Sequence, residues 1–400
     1  MTERGICELP TDSTIPNFPT FTIRTDHRPL TKPDQTFTKS IHMRSFLFLL
    51  AVVAAFPAFS QKYSNEFLSI GVSARAQALG NSVVASVDDV TAGYWNPAGL
   101  GRTSTDAGLQ LSAMHSPWFA GVASFNYLGV SIPFQNANRR LALSLVRFGI
   151  DNIPNTLSLY ESDGSINYDN IVEFSAADYG LFASYGQQLK NPDLFAGGSV
   201  KVVRRTIGQF ASSWGFGIDL GVQYHPGNWH FGAQARDLTT TFNAWKTNLT
   251  DADRDVFLAT GNELPDLSST EITNPSLIVG AGYTIEGKTV TITPEVNLIA
   301  TTDGQRNTLV SADPVSLDVG AGVEVNYNDF LFLRAGVNQF QRESDFDREE
   351  YLTVRPSVGV GMQLAALVVD YAYGNLSAGD QNTFSHVISL RLDLKPSAER

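Results

Sequence analysis

The chain has 400 residues, a formal net charge of -12 and a single cysteine, Cys7. That acidic balance argues against a nucleic-acid partner, and one cysteine rules out a disulfide framework or a CxxC redox site. Hydrophobic residues make up 43% of the chain, yet no apolar run beyond Ser60 reaches the roughly 20 residues that a membrane-spanning helix needs.

Residues 1–42 are polar and proline-spotted, and they read as a non-native upstream extension. Met43-Arg44-Ser45 opens a short apolar run that closes on Ala58-Phe59-Ser60. A small-x-small site after a run of that length is a signal peptide, so 43–60 is expected to be removed and the mature chain to begin near Gln61. An exported chain without a spanning helix is soluble in the periplasm, secreted, or a β-barrel.

The next stretch, 61–105, is rich in small and apolar residues that do not alternate. From 106 onwards they do. Leu317, Val319, Ala321, Val323, Val325 and Tyr327 face one way, while Ser316, Asp318, Gly320, Gly322, Glu324 and Asn326 face the other. Ile388, Leu390, Leu392 and Leu394 repeat the pattern against Ser389, Arg391 and Asp393. Each such segment is a strand with one apolar and one polar face. Runs of about 10–12 residues match tilted strands that cross a bilayer. The alternation predicts strands at 106–112, 120–133, 139–147, 176–187, 194–205, 213–224, 229–236, 275–285, 289–298, 316–327, 330–338, 352–363, 366–373 and 384–394.

That is fourteen strands, an even number, as single-chain bacterial barrels have. Links after even strands are tight, as at His225-Pro-Gly-Asn228 and Asn328-Asp329, whereas 151–175, 237–274, 299–315 and 339–351 are long. Short turns on one face and long loops on the other define a transmembrane barrel, here 106–394 with a tail at 395–400. Trp118, Tyr179, Trp214, Tyr224, Trp229, Tyr327, Phe330, Tyr371 and Tyr373 fall near strand ends, where interface girdles belong.

The 61–105 segment is then expected to fold from the periplasmic end into the lumen as a hatch, with both termini periplasmic. Asp88 and Asp89 are expected to reach cations such as Lys201, Arg204 or Arg334. Pro97 stops any helix and holds Asn96 extended, while Gly99 and Gly101 supply a tight turn into the first strand. Leu390 and Val319 are expected to face lipid.

Enzyme and metal signals are weak. His115, His225, His230 and His386 lack metal spacing, and His225 and His230 are placed at the interface with Trp229. Asp251-Ala-Asp253-Arg-Asp255 imitates the opening of a calcium loop. Val256 replaces the required glycine and Asn262 the twelfth ligand, so an acidic turn or helix start fits better. No GxSxG elbow is present. The expectation is a protein with no catalytic residues, no cofactor and no metal.

The segment Asp88-Asp89, Tyr94-Trp95-Asn96-Pro97-Ala98-Gly99-Leu100 resembles the N-terminal hatch of FadL-type outer-membrane proteins. With the preceding run from Phe67 through Arg75 to Gly80, it resembles more particularly the PorV/PorQ family, FadL-like barrels of Bacteroidetes associated with type IX secretion. The resemblance in motif covers residues 67–100. It implies an all-β, about 14-stranded antiparallel FadL-like barrel with a luminal hatch, and a non-enzymatic role in protein transport. PorV-like members bind the C-terminal signal domain of secreted cargo at the translocon and carry it to the attachment complex. PorQ-like members help hold that complex in the membrane. The alternative is a FadL-like conduit for long-chain fatty acids or other hydrophobic small molecules. The inward charges Lys201, Asp318, Glu324, Arg391 and Asp393 make the secretion role the first expectation. The expected partners are the outer-membrane bilayer, type IX translocon or attachment proteins with their cargo, and a hydrophobic ligand.

Overall fold

Alternation along the chain decides the architecture, because every strand has to bury one face and leave the other to lipid. A computed structural model describes residues 64–103, 108–134, 136–161, 163–259, 261, 268–344, 350–375 and 384–394. The expected extension at 1–42, the expected signal peptide at 43–60 and the tail at 395–400 lie outside the described residues.

The strands are β1 (Leu109–Trp118), β2 (Ala123–Phe134), β3 (Asn136–Asn155), β4 (Val172–Gln188), β5 (Leu194–Ile207) and β6 (Ala211–Tyr224). β7 has two parts, Trp229–Arg236 and Thr241–Thr247, as does β8, Ser268–Thr273 and Ser276–Tyr283. Then follow β9 (Val290–Thr301), β10 (Ser316–Tyr327), β11 (Leu331–Ser344), β12 (Glu350–Leu364), β13 (Leu367–Asn375) and β14 (Phe384–Leu394). A two-residue piece, Ile285–Glu286, extends the β8 side of the ladder onto β9. Each strand pairs antiparallel with the next, and β14 returns to β1 in the register Leu109↔Leu394 through His115↔Ile388. The result is a closed fourteen-strand antiparallel barrel without a free edge, the form that lets a sheet cross lipid with its backbone groups paired.

β6 shows the two faces most cleanly. Trp214, Phe216, Ile218, Leu220, Val222 and Tyr224 are exposed on the outer surface, while Ser213, Asp219 and Gln223 are buried in the lumen. In β14, Leu390 is 45% exposed and Ser389 3%. We expect Leu390→Arg to cost about 2–4 kcal/mol, and Leu394→Arg, at the short-turn end of the same face, about 0–1 kcal/mol. Urea titration of the heat-modifiable barrel band checks this; equal losses would mean that the two positions share one membrane depth.

Three expectations need correcting. The first strand, Leu109–Trp118, runs on past 112, while 106 and 107 lie outside the described residues. The 237–274 link is not all loop: β7 resumes at Thr241, α3 (Asp251–Ala259) follows, and β8 starts at Ser268. Likewise β3 runs on to Asn155 and β4 starts at Val172. These extensions leave the bilayer, so their outer faces no longer have to be apolar and the alternation that marks a strand fades. At the opposite end the turns are short, and Asn328 and Asp329 both take positive φ, the conformation a two-residue hairpin requires.

The third correction concerns the hatch. Ser64 Oγ donates to Glu271, and Asn243 Nδ2 donates to Ser64 and Asn65. All of these wall residues belong to the extensions at the long-connection end. The segment therefore runs the length of the lumen from that end down to the start of β1, and its N-terminal side is not at the short-turn end. Its Phe67, Val72, Val83, Val87, Trp95 and Leu100 join Phe125, Tyr127, Phe182 and Val203 of the wall in one buried apolar cluster.

Candidate functional site: a hatch seated in the lumen

The hatch is built from short pieces joined by tight turns. It contains a 3-10 turn at Glu66–Ser69, α1 (Ala74–Ala78), α2 (Ala92–Trp95) and a 3-10 segment at Pro97–Arg102. No piece is long enough to be stable alone, so contact with the wall supplies its order.

The seat is lined with glycine. A Cβ at Gly336 would lie 2.2 Å from the Gly80 nitrogen, and one at Gly232 would lie 2.4 Å from the Val84 carbonyl oxygen. Gly197, Gly221 and Gly322 face the hatch in the same way. A glycine inside a strand weakens it but admits another backbone to close range, which is its use here.

Charge fixes the position of the segment. Arg75 donates through Nε and Nη2 to Glu324, at 2.9 and 3.1 Å. Glu324 also accepts from Arg334 Nε at 2.6 Å, and Arg334 Nη1 donates to Asp370 at 2.6 Å. Asp89 accepts from Arg391 Nη1 at 2.8 Å, from the Thr91 amide at 2.8 Å and from the Thr91 hydroxyl at 2.5 Å. Burial pushes the Asp89 carboxyl up, but the Arg391 guanidinium and the Thr91 donors outweigh it and hold the carboxyl below its usual range. Asp88 stands 3.9 Å from Arg102 and is half exposed. The expected partners Lys201, Arg204 and Arg334 are engaged elsewhere. Lys201 bridges Asp219 and Asp237 at 2.9 and 2.7 Å, and Arg204 donates to the Ser213 carbonyl.

Asn96 is the fully buried hinge of the motif. Its backbone is extended, its Oδ1 accepts from the Ala98 amide, and its Nδ2 donates to the Val84 carbonyl at 2.8 Å and the Val222 carbonyl at 3.2 Å. Pro97 then opens the 3-10 segment, and Ala98 is fully buried. Gly99 and Gly101 lie in that 3-10 segment, and the Gly99 amide donates to the Asn96 carbonyl at 2.9 Å. A Cβ at Gly99 would lie 2.2 Å from the Val87 oxygen, and one at Gly101 would lie 2.5 Å from the Gln187 carbonyl carbon. Close approach is what both positions require. Tyr94 donates its hydroxyl to the Leu68 carbonyl, and Trp95 Nε1 donates to the Val72 carbonyl at 2.9 Å. Arg236 lies over both rings, 5.0 and 5.4 Å from their centroids.

Sequence reasoning missed Gln223 and Gln234, both buried. Gln223 Nε2 donates to the carbonyls of Val84 and Val87, each at 3.0 Å, and Gln234 Nε2 donates to that of Tyr94. The available signal was the run of inward glycines and amides in β6 and β7. His225 and His230 flank the turn before and after Trp229, and their Nδ1 atoms face each other at 2.6 Å, half-buried. Burial, with Arg102 and His230 nearby, pushes the His225 imidazole down to about 3. The calcium-like run is a helix start. The Thr250 amide donates to Asp253, and the Asp253 amide donates back to the Thr250 hydroxyl. No metal-binding cluster occurs among the described residues.

Two hollows lie on the long-connection side. A cavity of about 440 Å³ is lined by Leu68, Tyr94 and Trp95 of the hatch, by Phe182 and Ile278 of the wall, and by polar and charged groups such as Lys201, Asp219 and Asp318. Further out, an apolar groove of about 420 Å³ is formed by Pro154, Leu157, Phe174, Ile207, Phe210 and Phe257. Arg205, two residues along β5 from Ile207, stands between Asp178 and Glu271 at 2.9 and 3.1 Å.

A fourteen-strand barrel with its lumen filled by an N-terminal hatch belongs to the FadL-like class of folds. Among solved structures, the CymD monoaromatic hydrocarbon channel aligns over 84% of this chain and 100% of its own, with a TM-score of 0.51 and 13% identity. The toluene transporter TodX of Pseudomonas putida aligns over 81% and 98%, with a TM-score of 0.48 and 14% identity. A FadL homologue of Pseudomonas aeruginosa aligns over 80% and 98%, with a TM-score of 0.46 and 13% identity. The likeness to CymD establishes a shared fold. No protein-family model and no curated protein matches the chain.

Proposed function

We propose that this chain is a FadL-like outer-membrane conduit for hydrophobic small molecules. The observation that carries the reading is the pairing of an apolar groove at the long-connection end with a hatch-floored cavity deeper in the same barrel. The neighbours described as a hydrocarbon channel and a toluene transporter support it. The polar inward residues do not oppose it. Lys201, Glu324 and Arg391 are consumed by the ion pairs described above, and Asp318 accepts from the amides of Val319 and Phe340. The cavity also presents Leu68, Tyr94, Trp95, Phe182 and Ile278 among its polar groups. A binding role of this kind needs no catalytic group.

The test is uptake of radiolabelled toluene and oleate by cells that express the chain, compared with cells that lack it. Phe210→Asp places a charge in the groove and should lower uptake by about tenfold, the order of one buried ring contact. Heat-modifiability should show an intact barrel. Uptake equal to that of cells without the chain, for both compounds, would overturn the reading.

A role in type IX secretion stands second. The resemblance of residues 67–100 to PorV/PorQ hatches supports it, as do the strand extensions and α3 beyond the bilayer, which offer surface to cargo or attachment proteins. Affinity isolation from detergent-solubilised outer membrane separates the two. Co-purifying secretion components favour the second reading; bound hydrophobic ligand without them favours the first.

A further inference from the structure

The hairpin of β3 and β4 carries a surface that the conduit reading does not use. β3 is 20 residues long and β4 17. About 9–11 residues of a tilted strand cross a bilayer, so the far end of this hairpin stands clear of it. Its loop is ordered by its own bonds. Tyr160 and Ile166 pair as an isolated bridge, the Glu161 amide donates to Ser165, and Asn167 and Asn170 both donate to the Glu161 carboxylate. Glu161 is thus the internal brace of the loop.

On this braced loop the large side chains point outwards. Tyr160 is 68% exposed, Tyr168 71%, Ile166 49% and Val172 58%. Tyr160 and Ile166 sit directly opposite each other, so they share one face. A held loop has already lost most of the entropy that binding would otherwise cost, and tyrosine supplies contact area with few torsions to freeze. Such a patch on a rigid support marks an interaction surface.

Charge selects the occupant. Residues 148–189 contain six carboxylates and no Lys, Arg or His. Asp151 is spent on Arg147 and Asp178 on Arg205. Asp163, Asp169 and Glu173 hold no ion pair among the described residues and lie within a few positions of the exposed side chains in sequence. A second copy would set carboxylates against carboxylates, since the chain carries -12 overall. An anionic lipid surface is repelled for the same reason. We infer that the β3–β4 tip docks an extracellular protein through a Lys/Arg-bearing segment, with the tyrosines seated on its apolar stems and the carboxylates on its charges.

The test uses the full chain in its own outer membrane, with p-benzoylphenylalanine in place of Tyr168 and, as control, of Tyr327 at the short-turn end. Irradiation should give an adduct from position 168 alone, and peptide mapping should place the crosslink in a segment of net positive charge. In an Asp163→Lys/Asp169→Lys background the adduct should fall by about tenfold, the scale of mutating rim charges in a steered complex. The barrel band should be unchanged. The inference is overturned by any of four results: no adduct above the control, an adduct with lipid, an adduct with a second copy, or one whose crosslinked segment is neutral or acidic. It is also overturned if charge reversal leaves the adduct intact.

Discussion

Gly336→Val combined with Gly232→Val should leave a folded, closed barrel that conducts small ions freely. Each substituted Cβ would fall within 2.2 to 2.4 Å of hatch backbone, where real atoms do not approach. The wall cannot yield, because both positions sit in strands paired on either side, Gly336 between Gly322 and Ser357 and Gly232 between Gln223 and Gly280. The hatch is the softer partner: its helices are a turn long and held by contact. It should lift from its seat and open the lumen, which a barrel this wide otherwise leaves as an aqueous channel. Single-channel recording in planar bilayers reads the result directly. A rise of an order of magnitude or more over the native chain is expected, and valine also favours strands over glycine, so the barrel itself should not weaken. Native conductance with both valines in place, in a barrel that still shows heat-modifiability, would mean that the hatch is not the seal.

Glu324→Gln should be the most damaging single change to the hatch. The carboxylate lies between Arg75 of the hatch and Arg334 of the wall, and Asp370 completes a neutral set of two cations and two anions. Removing one anion leaves Arg75 without its carboxylate in a buried place. Breaking a buried pair in this way costs about 3–5 kcal/mol, most of it from the charge left behind. Replacing Arg75 and Glu324 together by methionine should recover most of the loss, because apolar groups of similar volume need no partner. The measure is the conductance of each variant and its resistance to protease added at the long-connection side. If the single and double variants proved equally leaky, the pair would matter for shape and not for charge.

The barrel was legible because lipid enforces alternation on every spanning strand, so Ser316–Tyr327 and Phe384–Leu394 could be bounded to the residue. Where lipid no longer acts, the signal stops: Asp151-Asn-Ile-Pro and Thr241-Phe-Asn-Ala lie on strands that nothing in their pattern reveals. The hatch was legible as a segment that breaks alternation, but its contacts were not. Asp89 reaches Arg391, some three hundred positions away in sequence, and no local spacing encodes that. The partners of the inward charges were illegible for a related reason. Read strand by strand they are free charges in a lumen, whereas in the fold Lys201 pairs with Asp219, Glu324 with Arg75 of the hatch and Arg391 with Asp89.

Ser64 touches the wall at the long-connection end, while β1 begins at the other, so residues 64–103 thread the barrel from mouth to floor. This makes order of assembly a matter of topology. The segment has no order of its own, so it takes its final form only when the strands that enclose it, closed by β14 on β1, supply its contacts.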